Sequence, residues 1–169
     1  MSTKNFSASH EVLPSGADMR IGVVVADWNS EVTSRLLQGA VDVLARQGAS
    51  FVVRHVPGSF ELTSGTQWMI QYEDVDAVIC LGCVIQGETP HFTYICQSVS
   101  YGLTKLAIQY EDIPVIFGVV TTLNLDQALA RAGGAVGNKG AEAAETAIRM
   151  VALHDSMEAD ADAADMEED

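Results

Sequence analysis

The stretch Cys80-Leu81-Gly82-Cys83-Val84-Ile85-Gln86-Gly87-Glu88-Thr89-Pro90-His91-Phe92 carries the densest chemistry of the 169-residue chain. An apolar run ends at a glycine-bounded turn. Thr89-Pro90 then reads as a helix start, with Thr at the N-cap and Pro at the first helical position. Free first-turn N–H groups and the positive end of the helix dipole make such a start a site for a phosphate or carboxylate. Gly87 lets backbone approach a ligand closely. His91 falls in that first turn, where an imidazole could exchange a proton with a substrate. The plainer alternative is a simple helix start with His91 as an exposed turn residue, and these residues alone leave the two readings balanced.

Other side chains could join it. Arg131 and Lys139 flank Gly133-Gly134 and are two of only nine Lys and Arg, so they could hold a phosphate, although taken singly a helix-end Arg and a surface Lys explain them better. Trp28 could stack on a flat ring or plug the end of a sheet. Glu61 could accept a hydrogen bond from a ring N–H or serve as a first-turn carboxylate. Phe117 lies inside an apolar run and defaults to core. His55 reads as structural and His154 as exposed. Cys80-Leu81-Gly82-Cys83 is formally C-x-x-C, but no second Cys or His pair accompanies it; buried thiols are the better reading, with no metal site.

These residues must be positioned by the elements around them. Arg20–Ala26 is a continuous β-branched run, which suits a strand covered on both faces. Val32, Leu36, Leu37, Ala40, Val41 and Leu44 then recur at helical spacing, and Gly48 stops that helix. Phe51–Val56 is a second strand, followed by a helix from about Phe60 to Tyr72. Asp76–Leu81 is a third strand, followed by a helix from Pro90 to about Tyr110. Pro114–Thr121 is a fourth, followed by a short helix from Thr122 to Arg131. Gly137 or Asn138 opens a last helix. Strand and helix alternating four times predict an α/β fold, a three-layer α/β/α sandwich on a four-stranded parallel sheet. Ligands bind beyond the carboxyl ends of such strands. Those ends are Asp27-Trp28-Asn29, Pro57 to Glu61, Gly82 to Phe92 and Thr121-Thr122. No G-x-G-x-x-G follows the first strand and no Walker A motif is present, which disfavours dinucleotides and nucleoside triphosphates.

Composition bounds the rest. The chain is 48% hydrophobic and 19% charged, with 9 Lys+Arg against 23 Asp+Glu and a net charge of −14. A nucleic-acid partner is disfavoured. No apolar run reaches the roughly 18 residues of a membrane span, and the polar start lacks a signal-peptide pattern, so the expectation is a cytoplasmic protein. Residues 1–18 read as an arm, residues 19–154 as the one domain, and residues 155–169 as an acidic, frayed tail. The acidic, Lys-poor body would also suit a salt-rich cytoplasm.

The ordered motifs Trp28-Asn29, Leu36-Leu37-Gln38-Gly39-Ala40, Val56-Pro57-Gly58-Ser59-Phe60-Glu61, Gly87 to Phe92, Phe117-Gly118-Val119, Arg131 to Gly134 and Gly137 to Gly140 closely resemble the 6,7-dimethyl-8-ribityllumazine synthase family, over about Arg20 to Leu153. The resemblance implies a flavodoxin-like sheet and a condensation of 5-amino-6-(D-ribitylamino)uracil with 3,4-dihydroxy-2-butanone 4-phosphate, with no metal or redox cofactor. It implies that Trp28 stacks on the pyrimidine, that Ser59, Phe60 and Glu61 bind the ring and ribityl chain, and that Cys83, Val84 and Ile85 present backbone groups to the ring. It implies further that Glu88 and Thr89 bind phosphate and that His91 transfers the proton. Phe117 and Arg131 would come from an adjacent subunit, with Lys139 near the same phosphate. The oligomer would be pentamer-based, with the segment from Asn5 to Val12 adding a strand to a neighbour. Gly133 to Gly140 carries no insertion, which leans towards a sixty-copy icosahedral shell; repulsion among acidic subunits opposes it. Two departures stand out: Gln86 where many members have Arg, and Leu123 where an Asp is common, so that helix start would lose a cap. The archaeal-type riboflavin synthase, a non-catalytic shell or ligand carrier and a flavodoxin-like electron carrier are the competing readings. The Gly87–Phe92 and Val56–Glu61 motifs favour lumazine synthase.

Overall fold

A computed structural model describes residues 12–167 of the chain. Strands β1 (Arg20–Ala26), β2 (Ser50–Val56), β3 (Ala77–Ile85) and β4 (Val115–Thr122) form one parallel sheet in the order β2-β1-β3-β4. The apolar runs are continuous because side chains alternate between two covered faces. Ile21, Val23 and Val25 with Ile79, Leu81 and Cys83 meet helix α1 (Ser30–Arg46) and helix α5 (Lys139–Glu167). Val24 and Ala26 with Val78 and Cys80 meet α2 (Leu62–Tyr72) and α3 (His91–Gln109). This is the expected three-layer sandwich. Each fully buried Val, Leu or Ile contributes about 1.5–3 kcal/mol against its exposed state, so the two clusters set the rigidity of the strand ends. Among the described residues no helix is long and apolar enough to cross a membrane.

Helix α1 ends as its sequence predicts. Gly48 takes a positive φ of 80°, and its N–H donates to Ala45 O. Four other expectations need correction. Strand β3 does not stop at Leu81: it continues through Gly82 to Ile85, paired to β4 as far as Ile85 opposite Thr122. The segment after α4 (Leu125–Ala130) is not merely a break but a small antiparallel hairpin of β5 (Ala132–Gly134) and β6 (Gly137–Asn138). The start of α4 keeps a cap despite Leu123, because the Asn124 side chain accepts from Gln127 N while Gln127 Oε1 accepts from Leu123 N, each at 3.0 Å. Finally, α5 does not fray at residue 154 but runs to Glu167, its last turns rich in Ala, the best helix former. The proposed arm strand from Asn5 lies outside the described residues, apart from an exposed Val12 at its end. Residues 13–18 are tied to the body: Leu13 packs on the α1/α5 cluster and Gly16 N donates to Gln47 O.

The hairpin fixes where α5 begins. Asn138 donates from Nδ2 to Arg35 O in α1, and its Oδ1 accepts from the N–H groups of Gly140 and Ala141, capping α5. Gly140 lies against the α1 backbone so closely that a Cβ there would fall 1.9 Å from Leu36 O. Arg131, at the end of α4, grips Glu142 through two bonds of 2.9 Å and donates a third, of 2.7 Å, to Val136 O in the hairpin turn. Lys139 Nζ stands 3.5 Å from the same carboxylate. Burial pushes the Glu142 carboxyl up, but the bonds and charge of Arg131, with Lys139 behind them, outweigh burial and hold it below its ordinary value.

Two outcomes follow from this corner. Gly140→Ala must push α5 away from α1, at a cost of about 1–3 kcal/mol, read as a fall of several degrees in a thermal melt; an unchanged melt would mean that the helices separate freely. A carboxyl lowered in the folded state adds stability above its unfolded pKa, and that contribution fades as pH falls through its folded value. Glu142→Gln should therefore melt below the wild type at pH 7, with the gap closing below about pH 4. A gap of equal size at pH 7 and pH 3 would assign the loss to packing instead.

Candidate active site

The order β2-β1-β3-β4 places the reversal of strand order between β1 and β3, where open α/β sheets bind ligands. The strand lengths open a cleft there. Pairing of β1 with β3 ends at Val25 opposite Leu81, whereas β3 continues beside β4 to Ile85. Cys83, Val84 and Ile85 thus run on with no β1 strand beside them, and backbone groups on that side face a cavity of about 530 Å³. This volume is that of a pocket for a small organic molecule.

Three elements wall the cavity beside β3. Trp28 and Asn29 come from the β1–α1 turn, Pro57 to Glu61 from the β2–α2 turn, and Gly87, Thr89, His91, Phe92 and Ile95 from the start of α3. Trp28 is 72% exposed and Phe60 56%, two rings held in water at the edge of an apolar recess. A Cβ built on Gly58 would lie 3.0 Å from Glu61 Oε2 and 3.9 Å from the Trp28 ring, so the carboxylate and the indole flank the same point. Ser59 is buried beneath them, and its backbone oxygen accepts from Leu62 N at the start of α2. The arrangement offers a flat apolar platform, a carboxylate acceptor and strand-end peptide groups, which suits a planar heterocycle with N–H donors.

The α3 start differs by one residue from the sequence expectation. Pro90, already helical at φ −63° and ψ −5°, holds the cap position, and its carbonyl accepts from Thr93 N and Tyr94 N. Thr89 therefore does not cap, and no side chain does. First-turn N–H groups remain available to an anion beside the exposed His91.

The remaining expected residues lie elsewhere. Glu88 is exposed in the turn but is not on the cavity wall. The β4 end, Thr121-Thr122, does not line it either; Thr122 O accepts from Gln86 N. Phe117 sits mid-strand in β4 opposite Cys80, at the edge of the sheet, and is 39% exposed. Arg131 and Lys139 come together, but on Glu142 at the hairpin. Among the described residues, no lysine or arginine of this chain lines the cavity.

Cys80 and Cys83 fall on opposite faces of β3, in the two separate core clusters, so they cannot share a metal or a disulfide without remaking the strand. Burial pushes the Cys80 thiol up to about 12, against a smaller lowering by its Thr66 contact, and the Cys83 thiol up to about 11. Both are protonated thiols at neutral pH and poor nucleophiles. The described residues hold no group of three or more His, Cys, Asp or Glu able to hold a metal. His55 bonds Asp27 at 2.7 Å, in keeping with a structural role.

Sequence reasoning passed over Asn29 and Glu142. Asn29 stood in the sequence as a strand-end residue and as half of the Trp28-Asn29 motif, with no role of its own. Glu142 was visible as a carboxylate three residues beyond Lys139, in the first turn of α5.

The family model described as 6,7-dimethyl-8-ribityllumazine synthase matches residues 18–155. The chain is 50% identical over 147 residues to the 6,7-dimethyl-8-ribityllumazine synthase of Porphyromonas gingivalis, covering 85% of this chain and 91% of that one. It is 51% identical over 152 residues to the enzyme of the same name from Cytophaga hutchinsonii, covering 88% and 95%. It is 48% identical over 142 residues to that of Salinibacter ruber, covering 82% and 90%. With matches that span nearly the whole folded body, including every wall of the cavity, the chain belongs to the 6,7-dimethyl-8-ribityllumazine synthase family.

Proposed function

We propose that this protein condenses 5-amino-6-(D-ribitylamino)uracil with 3,4-dihydroxy-2-butanone 4-phosphate to give 6,7-dimethyl-8-ribityllumazine, phosphate and water, a step of riboflavin biosynthesis. The observation that carries this reading is the single cavity walled on one side by Trp28, Phe60 and Glu61 and on another by His91 at an uncapped helix start. The first wall fits a flat pyrimidine with a polyol chain. The second fits a phosphorylated ketone that must lose its phosphate.

In this mechanism Trp28 stacks on the pyrimidine, Glu61 and the Cys83–Ile85 backbone read its polar edge, and Ser59 and Phe60 flank the ribityl chain. The α3 start with Glu88 and Thr89 receives the phosphate. The pyrimidine amine attacks the ketone carbonyl, water leaves, and an imine forms. A proton is removed and phosphate is expelled, and the ribitylamino nitrogen closes the second ring with loss of a further water. His91, within the same cavity, moves the proton between substrate atoms. Much of the acceleration comes from holding two reactants together. The substrates are polar and water-soluble, which fits a cytoplasmic enzyme.

A phosphate in a cavity without lysine or arginine needs a cation from elsewhere. A second copy supplies it in this reading: Arg131, already oriented by Glu142, reaches the phosphate from the adjacent subunit, with Lys139 near it and Phe117 closing over the ring. The working form is then a homo-oligomer, built from pentamers and extending to a shell where the pentamers associate.

The purified protein mixed with both substrates should produce the fluorescent lumazine and an equal amount of phosphate; no product above the uncatalysed rate would overturn the reading. His91→Ala should slow turnover by about 10²–10⁴ if general acid–base catalysis dominates. A smaller loss would assign the rate to proximity. Co-refolding His91→Ala with Arg131→Gln should regain activity above the mean of the two variants, because some sites then combine an intact His91 with an intact Arg131. No gain would place both residues in one subunit's site.

A further inference from the structure

Asn29 is the one non-glycine residue at positive φ among the described residues, at φ 59° and ψ 43°. It occupies the N-cap position of α1, and its backbone carbonyl accepts from Val32 N and Thr33 N as a helix start requires. Its side chain, however, does not cap the helix. The Nδ2 group turns across the cleft and donates to Cys83 O at 2.8 Å. That carbonyl lies two residues beyond Leu81, where the β1–β3 ladder ends. On the other side of the same turn, Trp28 N donates to Pro57 O at 3.1 Å. Trp28 is thus held between two strand ends, by its own N–H towards β2 and by its neighbour's amide towards β3.

We propose that Asn29 is a positioning residue for the pyrimidine substrate: its side-chain amide takes the place of the missing β1 rung, fixing both the Trp28 ring and the Cys83–Val84 backbone at the inner end of the cleft. Two requirements meet at this position. The left-handed backbone favours Gly, Asn or Asp. The carbonyl opposite demands a donor. Glycine meets the first requirement only, and an ionised aspartate sets a second acceptor against Cys83 O. Asparagine meets both, and the carbonyl explains why the strained conformer is kept although the ordinary capping bond is given up. Asn29 need touch no reacting atom, so its loss should weaken ring binding rather than proton transfer. The kinetic part of this inference rests on the proposed condensation; the fluorescence part does not.

The test uses a Trp68→Phe background, which leaves Trp28 as the single tryptophan. Asn29→Gly keeps the backbone and removes the donor; Asn29→Asp keeps the shape and reverses the polarity. Both should fold, as read by circular dichroism and oligomer mass, and both should lower the fluorescence anisotropy of Trp28. In the assay, KM for the ribitylaminouracil should rise about tenfold for Asn29→Gly, and further for Asn29→Asp, whose carboxylate is left against a carbonyl. KM for the butanone phosphate and the pH profile of turnover should stay as in the parent. Anisotropy unchanged in both variants would overturn the inference, whatever the kinetics. Equal rises in both KM values would also overturn it, since a general loosening of the fold is then the cause. If the parent itself formed no lumazine, the functional reading would fall, and the anisotropy arm would still decide the role of Asn29.

Discussion

The site depends on one mismatch of strand length. β3 runs on beside β4 as far as Ile85, but its pairing with β1 ends four residues earlier, at Leu81. A sheet whose neighbouring strands ended together would offer only a row of turns. Here one side of β3 leaves the ladder while the other stays bonded, so peptide groups beyond the Cys83 carbonyl, which accepts from Asn29, are held rigid and open to a ligand. Such groups normally demand a partner. A planar heterocycle with donors and acceptors on its edge meets the same demand as a strand would. The Trp28 platform, the Glu61 carboxylate and the α3 start are placed around this opening by the turns that follow β1, β2 and β3.

Precision at the opening comes from the layers behind it. On one face, α5 is drawn onto α1 until Gly140 touches the Leu36 carbonyl, and Asn138 ties the hairpin to Arg35. The motifs around Leu36–Ala40 and Gly137–Gly140 are therefore two sides of a single helix contact. They fix where the hairpin and Arg131 stand. On the other face, α2 and α3 close over Val24, Val78 and Cys80, and their N-terminal ends bring Glu61 and His91 to the same rim. Packed apolar residues thus lie behind those that line the cavity.

The layered fold was legible because its signals are local. Continuous β-branched runs, helical spacing and the stop at Gly48 each report on a few neighbouring residues. The extension of β3 was not, since Gly82-Cys83 looks like a turn until Ser59 and Leu62 are seen packed against Gly82. Strands of three and two residues carry no readable period, which hid the hairpin. The acidic end of α5 lacks an apolar face, which hid its helicity. Of the cavity residues, Trp28, Glu61, Thr89 and His91 were legible from their types beside strand ends, whereas Ser59, Phe60, Cys83, Val84 and Ile85 were legible only through the family resemblance. Asn29 and Glu142 were not, because each acts on a group far away in sequence, Cys83 O for one and the Arg131 guanidinium for the other.

That last pairing bears on how so acidic a chain can receive a phosphate. A net charge of −14 opposes any dianion at long range, although salt confines that repulsion to roughly 8–10 Å. What matters is the local sum. Arg131, Lys139 and Glu142 together carry one net positive charge, since the two cations are offset by a single carboxylate. A free pair of cations would carry twice that charge but would swing on long side chains, and ordering them would cost rotamer entropy at the moment of binding. The carboxylate gives up half of the charge to hold the guanidinium plane still before any ligand arrives. Among the described residues, no lysine or arginine lines the cavity beside the α3 start. Under the proposed mechanism, the phosphate is met by oriented N–H dipoles from one chain and a preordered guanidinium from another. Neither set needs a strongly basic surface, and the acidity of the rest of the molecule is left free to vary.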